Sequence, residues 1–283
     1  MAMRYMPKLP QLTERICAYG QNGVGKTSLA ISMMRRMPDR HFHVLDTNAS
    51  YEFSIYEDDE RNAKVIAAQN FTIYDTDPQS WLDQVAKMAE IEAECEPGDW
   101  AVFDMMDDLW DAIPSWYTET FLGLDETAYR QKVRMALEEK RNEQQAGGQK
   151  GDRTAPLFDQ LRDYQHINPT YKRQVYGLMR RLNAKGVHVL CLAGAKSIGD
   201  NDDVAIRKRY RPFKERPASQ KALTGEMNTV LHLAWDGEDT WTMSQAKDRG
   251  SRLREQLDEE PWDDFCKTYL SPIAGWHMEK VED

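Results

Sequence analysis

The sequence has no closely spaced cysteines, no long apolar run and no excess of positive charge, and each gap closes off a class of function. Its four cysteines, Cys17, Cys95, Cys191 and Cys266, stand far apart and form no CxxC pair. That pattern gives neither a zinc site nor a disulfide scaffold, and the expected compartment is a reducing cytoplasm, the host's if the protein is viral. The longest strongly apolar stretch, Val187 to Ala195, is too short to cross a bilayer. The first residues hold no apolar signal region, so a soluble protein with no membrane partner is expected. A formal net charge of −10 sets up an overall field that does not favour polyanions. Any contact with DNA or RNA must therefore come from a local basic patch.

What is present suffices for a globular α/β protein: 283 residues, 41% of them hydrophobic, bury a full core. Arg15 to Tyr19 reads as a short strand running into a glycine loop. Leu29, Ala30, Met33, Met34 and Met37 then recur at helical spacing, and Pro38-Asp39 stops the helix. Further strands are expected at His41–Asp46, Phe71–Asp75, Trp100–Asp104, Val187–Ala193, Thr229–Trp235 and Thr240–Ser244, with Asp236-Gly237 turning the last two. Helices are expected at Pro78–Glu94, through the polar stretch from Asp125, and at Tyr171–Lys185 before Gly186. This alternation predicts a mostly parallel sheet covered on both faces. Segments near 146–155 and 199–220 read as mobile.

One motif carries specific chemistry. Gly20-Gln21-Asn22-Gly23-Val24-Gly25-Lys26-Thr27, followed by Ser28, satisfies G-x-x-x-x-G-K-[ST] between a strand and a helix. Glycines there let backbone N–H groups turn toward phosphate oxygens of ATP or GTP, and the helix N-terminus adds partial positive charge. Lys26 is expected to reach the β- and γ-phosphates and Thr27 to ligate magnesium. Asp104, on the C-terminal end of an apolar strand, is the candidate second magnesium acid, with Asp107 and Asp108 close behind it.

A second signal is compositional. Arg207, Lys208, Arg209, Tyr210, Arg211, Phe213, Lys214, Glu215 and Arg216 place six cations, one acid and two aromatics in ten residues. Cations for phosphates and aromatics for stacking suit a single-stranded nucleic acid. A solvated basic loop and a phosphate-closing kinase lid are the other readings. Lys247 and Arg249 follow the last strand as Lys-x-Arg.

The strand ending Val44-Leu-Asp-Thr-Asn48 resembles that of the RecA/RadA recombinase family, which ends in Asp-Thr-Glu. The order P-loop, Asp-Thr strand, Asp104 strand, basic segment and Lys-x-Arg, over residues 12 to 250, resembles the compact RecA-core ATPases of bacteriophages. The resemblance implies a RecA-like P-loop core over residues 1–253 and an oligomer, ring or filament, engaged in single-strand annealing or recombination with ATP and magnesium. It further implies that residues 207–216 occupy the place of a second DNA-binding loop, and that Lys247 and Arg249 act on a neighbouring subunit's γ-phosphate. The family's water-activating Glu is Asn48 here, and an amide accepts no proton. Glu52, one helical turn on, is the replacement candidate, and slow hydrolysis is expected. A DNA motor, helicase-loading or packaging ATPase and a nucleotide kinase are the alternatives. The acidic, aromatic region 254–283 reads as a capping helix or as a dock for a partner such as a single-strand-binding protein.

Overall fold

The computed structural model describes residues 13–146 except 58, 160–249 except 201 and 239, and 260–261. Its strands are β1 (Arg15–Tyr19), β2 (Phe42–Asp46), β3 (Phe71–Asp75), β4 (Trp100–Asp104), β5 (His188–Ala193), β6 (Ala195–Ser197), β7 (Glu215–Pro217), β8 (Thr229–Trp235), β9 (Trp241–Asp248) and β10 (Glu260–Pro261). The helices are α1 (Lys26–Arg36), α2 (Tyr51–Tyr56), α3 (Asp59–Ala68), α4 (Trp81–Glu94), α5 (Met106–Leu122), α6 (Glu126–Ala146), α7 (Gln160–Tyr171), α8 (Gly177–Lys185), α9 (Val204–Tyr210) and α10 (Leu223–Glu226). A π-helical turn, Lys172–Tyr176, joins α7 to α8.

The main sheet has the order β10-β9-β8-β1-β5-β4-β2-β3. The six strands from β8 to β3 are parallel, while β9 pairs antiparallel with β8, and β10 antiparallel with β9, at one edge. This is the expected architecture in outline, a mostly parallel central sheet flanked by helices with the glycine loop after the first strand. Both faces are covered, because successive strand residues point to opposite sides. Cys17, Tyr19, Phe103, Val189 and Cys191 meet α4, α5, α7 and α8 in one core. Ile16, Ala18, Val44, Val102, Leu190 and Leu192 meet α1, α2 and α3 in the other. Cys17, Cys95 and Cys191 are buried free thiols, and burial pushes Cys17 up to about 12, out of reach of thiolate chemistry.

Register then aligns the site. Asp75 pairs with Asp46 and Asp46 with Asp104, so three neighbouring strands end on an acid at one level. Next along the edge stand Leu192 and Ala193 of β5, then Tyr19 of β1, from which the glycine loop leaves.

The stretch between Asn48 and Asn70, unassigned from sequence, forms α2 and α3. Residues 199–220, expected to be mobile, hold α9, a 3-10 turn and β7, which pairs antiparallel with β6 just before the segment. The expected mobile segment near 146–155 lies, past Ala146, outside the described residues. So does the C-terminal region 254–283 apart from Glu260–Pro261, which pair with Thr242 and Met243. Among the described residues no helix is long and apolar enough to cross a membrane.

An 11-residue helix such as α1 is marginal by itself, so packing and caps must hold it. Leu29, Ala30, Met33 and Met34 are buried against the sheet. At the other end Asn70 Nδ2 donates toward the carbonyls of Met34, Met37 and Arg40, each at 3.1 Å. Removing that amide strands buried acceptors, at about 1–3 kcal/mol for each left without a partner. Asn70→Ala should therefore lower the urea midpoint at unchanged slope, by the equivalent of about 2 kcal/mol or more. An unshifted midpoint would show that the amide contributes nothing to holding α1.

Candidate functional site

The glycine loop is shaped by what it touches. A Cβ on Gly20 would stand 2.3 Å from the Leu233 carbonyl oxygen of β8 and 2.8 Å from Val24 Cγ2, so the approach of two backbones demands glycine. Gly23 and Gly25 turn the chain at φ 82° and 84°, which side-chain-bearing residues rarely adopt. Among the described residues, the backbone N–H groups from Gln21 to Ser28 find no backbone acceptor. A run of unclaimed donors at the head of an eleven-residue helix fits an anion of phosphate geometry.

Lys26 is 7% exposed and folds back, its Nζ donating to the carbonyls of Gly20 (3.2 Å) and Gln21 (2.9 Å). Burial lowers its pKa, opposed by the charges of Asp104 and Asp107. Asp104 is 2% exposed, and its Oδ2 accepts from the Thr27 hydroxyl at 2.9 Å. Burial pushes the Asp104 carboxyl up to about 7, and Asp46 adds to the rise against the Thr27 bond and the Lys26 charge. The sequence-predicted metal pair is thus in direct contact. Asp107 instead accepts from the Gly194 N–H at 3.0 Å, and Asp108 accepts from the Thr47 hydroxyl, so both brace loops.

A hydroxyl and a carboxylate are hard oxygen donors that fit magnesium, which commonly takes one or two protein oxygens and completes its shell with phosphates and water. Among the described residues no group of three or more His, Cys, Asp or Glu could hold a metal by itself.

Asp46 organises the adjacent turn, accepting from the N–H groups of Asn48 (3.1 Å), Ser50 (2.7 Å) and Tyr51 (2.9 Å). Asn48 and Glu52 are exposed on this turn, at the same edge as the phosphate loop. Tyr51 beside them is wholly buried. Neither Asp46 nor Tyr51 was singled out from sequence, although an Asp at a strand end followed by Asn48 and Ser50 is a legible turn signal.

The basic segment departs from expectation at two positions. Arg207, Lys208, Arg209, Arg211 and Lys214 are exposed. Tyr210 is 1% exposed, its ring edge-on to Tyr19 at 5.8 Å, so it is no stacking platform in this conformation. Arg216 is equally committed, buried in an ion pair with Asp202 at 3.1 Å. The Ile206/Tyr210 spacing, four apart on a helix capped by Asp203, was the available sign that Tyr210 faces inward. Phe213 is half-buried, 5.0 Å from the His232 ring.

Glu215 was missed altogether. One carboxylate oxygen accepts from Gln21 Nε2 of the phosphate loop, the other meets His232 Nε2 at 2.8 Å, and its carbonyl accepts from the Tyr19 hydroxyl at 3.3 Å. The arm carrying the cations is therefore fastened to the phosphate loop itself.

Lys247 and Arg249 sit elsewhere. Lys247 pairs with Val230, which pairs with Cys17, three residues or about 10 Å down β1 from Gly20 and two strands across. Lys247 donates to the carbonyls of Thr224 and Met227, and Arg249 to that of Gly225, so both close the end of α10. Burial, with the charges of Arg249, Arg209 and Arg15, lowers Lys247 to about 8. Neither side chain reaches the phosphate loop of its own chain.

No family model matches this chain, and no curated protein does. Among solved structures it is similar to the crystal structure of the RadB recombinase, with 8% identity over 88% of this chain and 86% of that one, at a TM-score of 0.46. It is also similar to an ATP synthase subunit, NeqB, from Nanoarcheaum equitans, with 12% identity over 80% of this chain and 47% of that one, at a TM-score of 0.40.

The buried acid gives a pH signature. Since burial raises the folded-state pKa of Asp104 above its unfolded value, the folded protein keeps a proton that the unfolded chain loses between about pH 4 and pH 7. Stability contributed by this group is present below about pH 4 and is lost as pH rises through about 7. Asp104→Asn should flatten that part of a urea-unfolding pH series and raise the stability of the ligand-free protein at pH 7.5. A variant retaining the wild-type slope would place its origin elsewhere.

Proposed function

We propose that the protein is an ATP-binding, slowly hydrolysing protein of DNA recombination or single-strand annealing that binds single-stranded DNA as an oligomer. The observation that carries this reading is the Gln21–Glu215 hydrogen bond, which ties the nucleotide loop to the arm of exposed cations. An ATPase whose nucleotide loop grips a basic segment can couple occupancy of one to the posture of the other.

At the nucleotide site the N–H groups of the loop receive the phosphates, and Lys26 leaves its carbonyl contacts for the β- and γ-oxygens. Thr27 and Asp104 are the residues that would hold magnesium, which when bound neutralises charge developing on the phosphates. The Leu233 carbonyl and Val24 crowd Gly20 and keep the loop against β8. Turnover is limited by the turn at Asn48, where an amide occupies the place suited to a general base; Glu52 supplies the nearest carboxylate along the chain.

The DNA surface consists of Arg207, Lys208, Arg209, Arg211 and Lys214. Phe213 is the aromatic remaining for base stacking, since Tyr210 and Arg216 serve the fold. Lys247 and Arg249 lie on the far edge from their own loop, so any γ-phosphate they meet belongs to a second copy, which supports an oligomer. To reach it they would exchange their α10 carbonyls for phosphate oxygens.

A salt titration of single-stranded oligonucleotide binding, with and without a slowly hydrolysed ATP analogue, tests the reading. Five phosphate contacts give a log–log slope of about −3.5, and each exposed cation replaced by Ala should flatten it by about 0.7. Arg216→Ala should leave the slope in place while lowering stability. Lys26→Ala should weaken analogue binding tenfold or more and remove its effect on DNA binding. Affinity for DNA that survives loss of all five exposed cations would defeat the DNA assignment.

A further inference from the structure

Tyr51 opens α2, immediately after the turn that Asp46 organises. Its backbone N–H is satisfied by Asp46, and its ring is fully enclosed. Its hydroxyl has no hydrogen-bond partner. That oxygen lies against the carboxyl of Asp104, with Asp46 also near, and the two acids together with burial hold the phenol well above its ordinary pKa. The hydroxyl is thus a buried donor held beside a metal-site acid, close enough to favour its carboxylate but short of a well-formed hydrogen bond.

Packing alone does not account for the oxygen. A phenylalanine would fill the same ring volume, and a buried hydroxyl without a partner costs about 1–3 kcal/mol. The neighbouring arrangement indicates what it could do. Asp104 Oδ2 now accepts from the Thr27 hydroxyl. If Thr27 turns its oxygen lone pair to a cation, its proton no longer serves Asp104 in the same way. A carboxylate 2% exposed then needs another donor to stay ionised and oriented.

We propose that Tyr51 is a positioning residue of the metal centre, donating its phenolic hydrogen to Asp104 once Thr27 engages the cation. The hydrogen bond fixes which carboxylate oxygen faces the metal. No proton is transferred; the loose contact between the hydroxyl and Asp104 closes into a full hydrogen bond. The inference rests on the assignment of Thr27 and Asp104 as the magnesium pair. Outer-sphere hydrogen bonds of this kind govern metal affinity by 10–100-fold in other sites.

Tyr51→Phe separates this role from a packing role, because it removes only the oxygen. Three quantities are measured on wild type and variant: unfolding midpoint without ligand, affinity for a fluorescent ADP in EDTA, and Mn2+ affinity of the ADP-saturated protein by electron paramagnetic resonance. The expected result is an unchanged or raised midpoint, unchanged ADP affinity in EDTA, and Mn2+ affinity lowered about tenfold or more. Wild-type Mn2+ affinity in the variant overturns the proposal, whether or not stability falls. Wild-type protein that binds no ADP at all, or binds it unchanged after Lys26→Ala, overturns the phosphate-loop assignment itself. The two failures are therefore distinguishable.

Discussion

The C-terminal edge of the parallel strands is organised around the burial of an acid directly under the glycine loop. Asp104 is nearly inaccessible to water and neighbours a second buried carboxylate, Asp46, in register on the next strand. Two such groups are costly to hold together, and the surrounding chain is arranged to offset that. Thr27 donates to one, and three backbone N–H groups of the 48–51 turn donate to the other. The start of α1, the turn after β2 and the placement of Tyr51 all follow from meeting these two sets of oxygens. The unmet part of the demand is positive charge, which Lys26 supplies only partly while it rests on loop carbonyls.

Sequence made the strands and the loop legible because their signals are local. Each acid at a strand end, each glycine with a positive φ and the apolar period of α1 can be read within a dozen residues. The Thr27–Asp104 contact followed from knowing where parallel strands end. Pairings across long separations were a different matter. Gln21 and Glu215 are 194 positions apart, and nothing in the composition around either one signals the other. The α2–α3 stretch was passed over because few of its apolar residues face inward: among the described residues Tyr51, Ile55 and Val65 are buried and Ile66 packs against the same core.

The basic segment shows how composition misleads about individual side chains. Six cations and two aromatics looked equivalent along the string, yet helix geometry sorts them. Tyr210 lies one turn after Ile206 and goes to the core beside Tyr19, while the arginines between point outward. Arg216 falls on a strand facing Asp202 and becomes structural. The surviving surface is smaller than the string suggests, but it is held more firmly, since its base is knotted to Gln21, Tyr19 and His232.

The close seating of Gly20 on the Leu233 carbonyl has a mechanical meaning. Leu233 belongs to the same hairpin whose other strand ends at Lys247 and Asp248, paired back to Val230 and Thr229. Between those points the ladder is not uniform: Val230 pairs with Lys247 but Leu231 with Gln245, so Ala246 is an extra residue in β9. A bulge of this kind bends its strand and sharpens the local twist. The seat at Gly20 is stiff because no side chain separates the two backbones, whereas the bulge gives the half of the hairpin that bears Lys247 a place to bend.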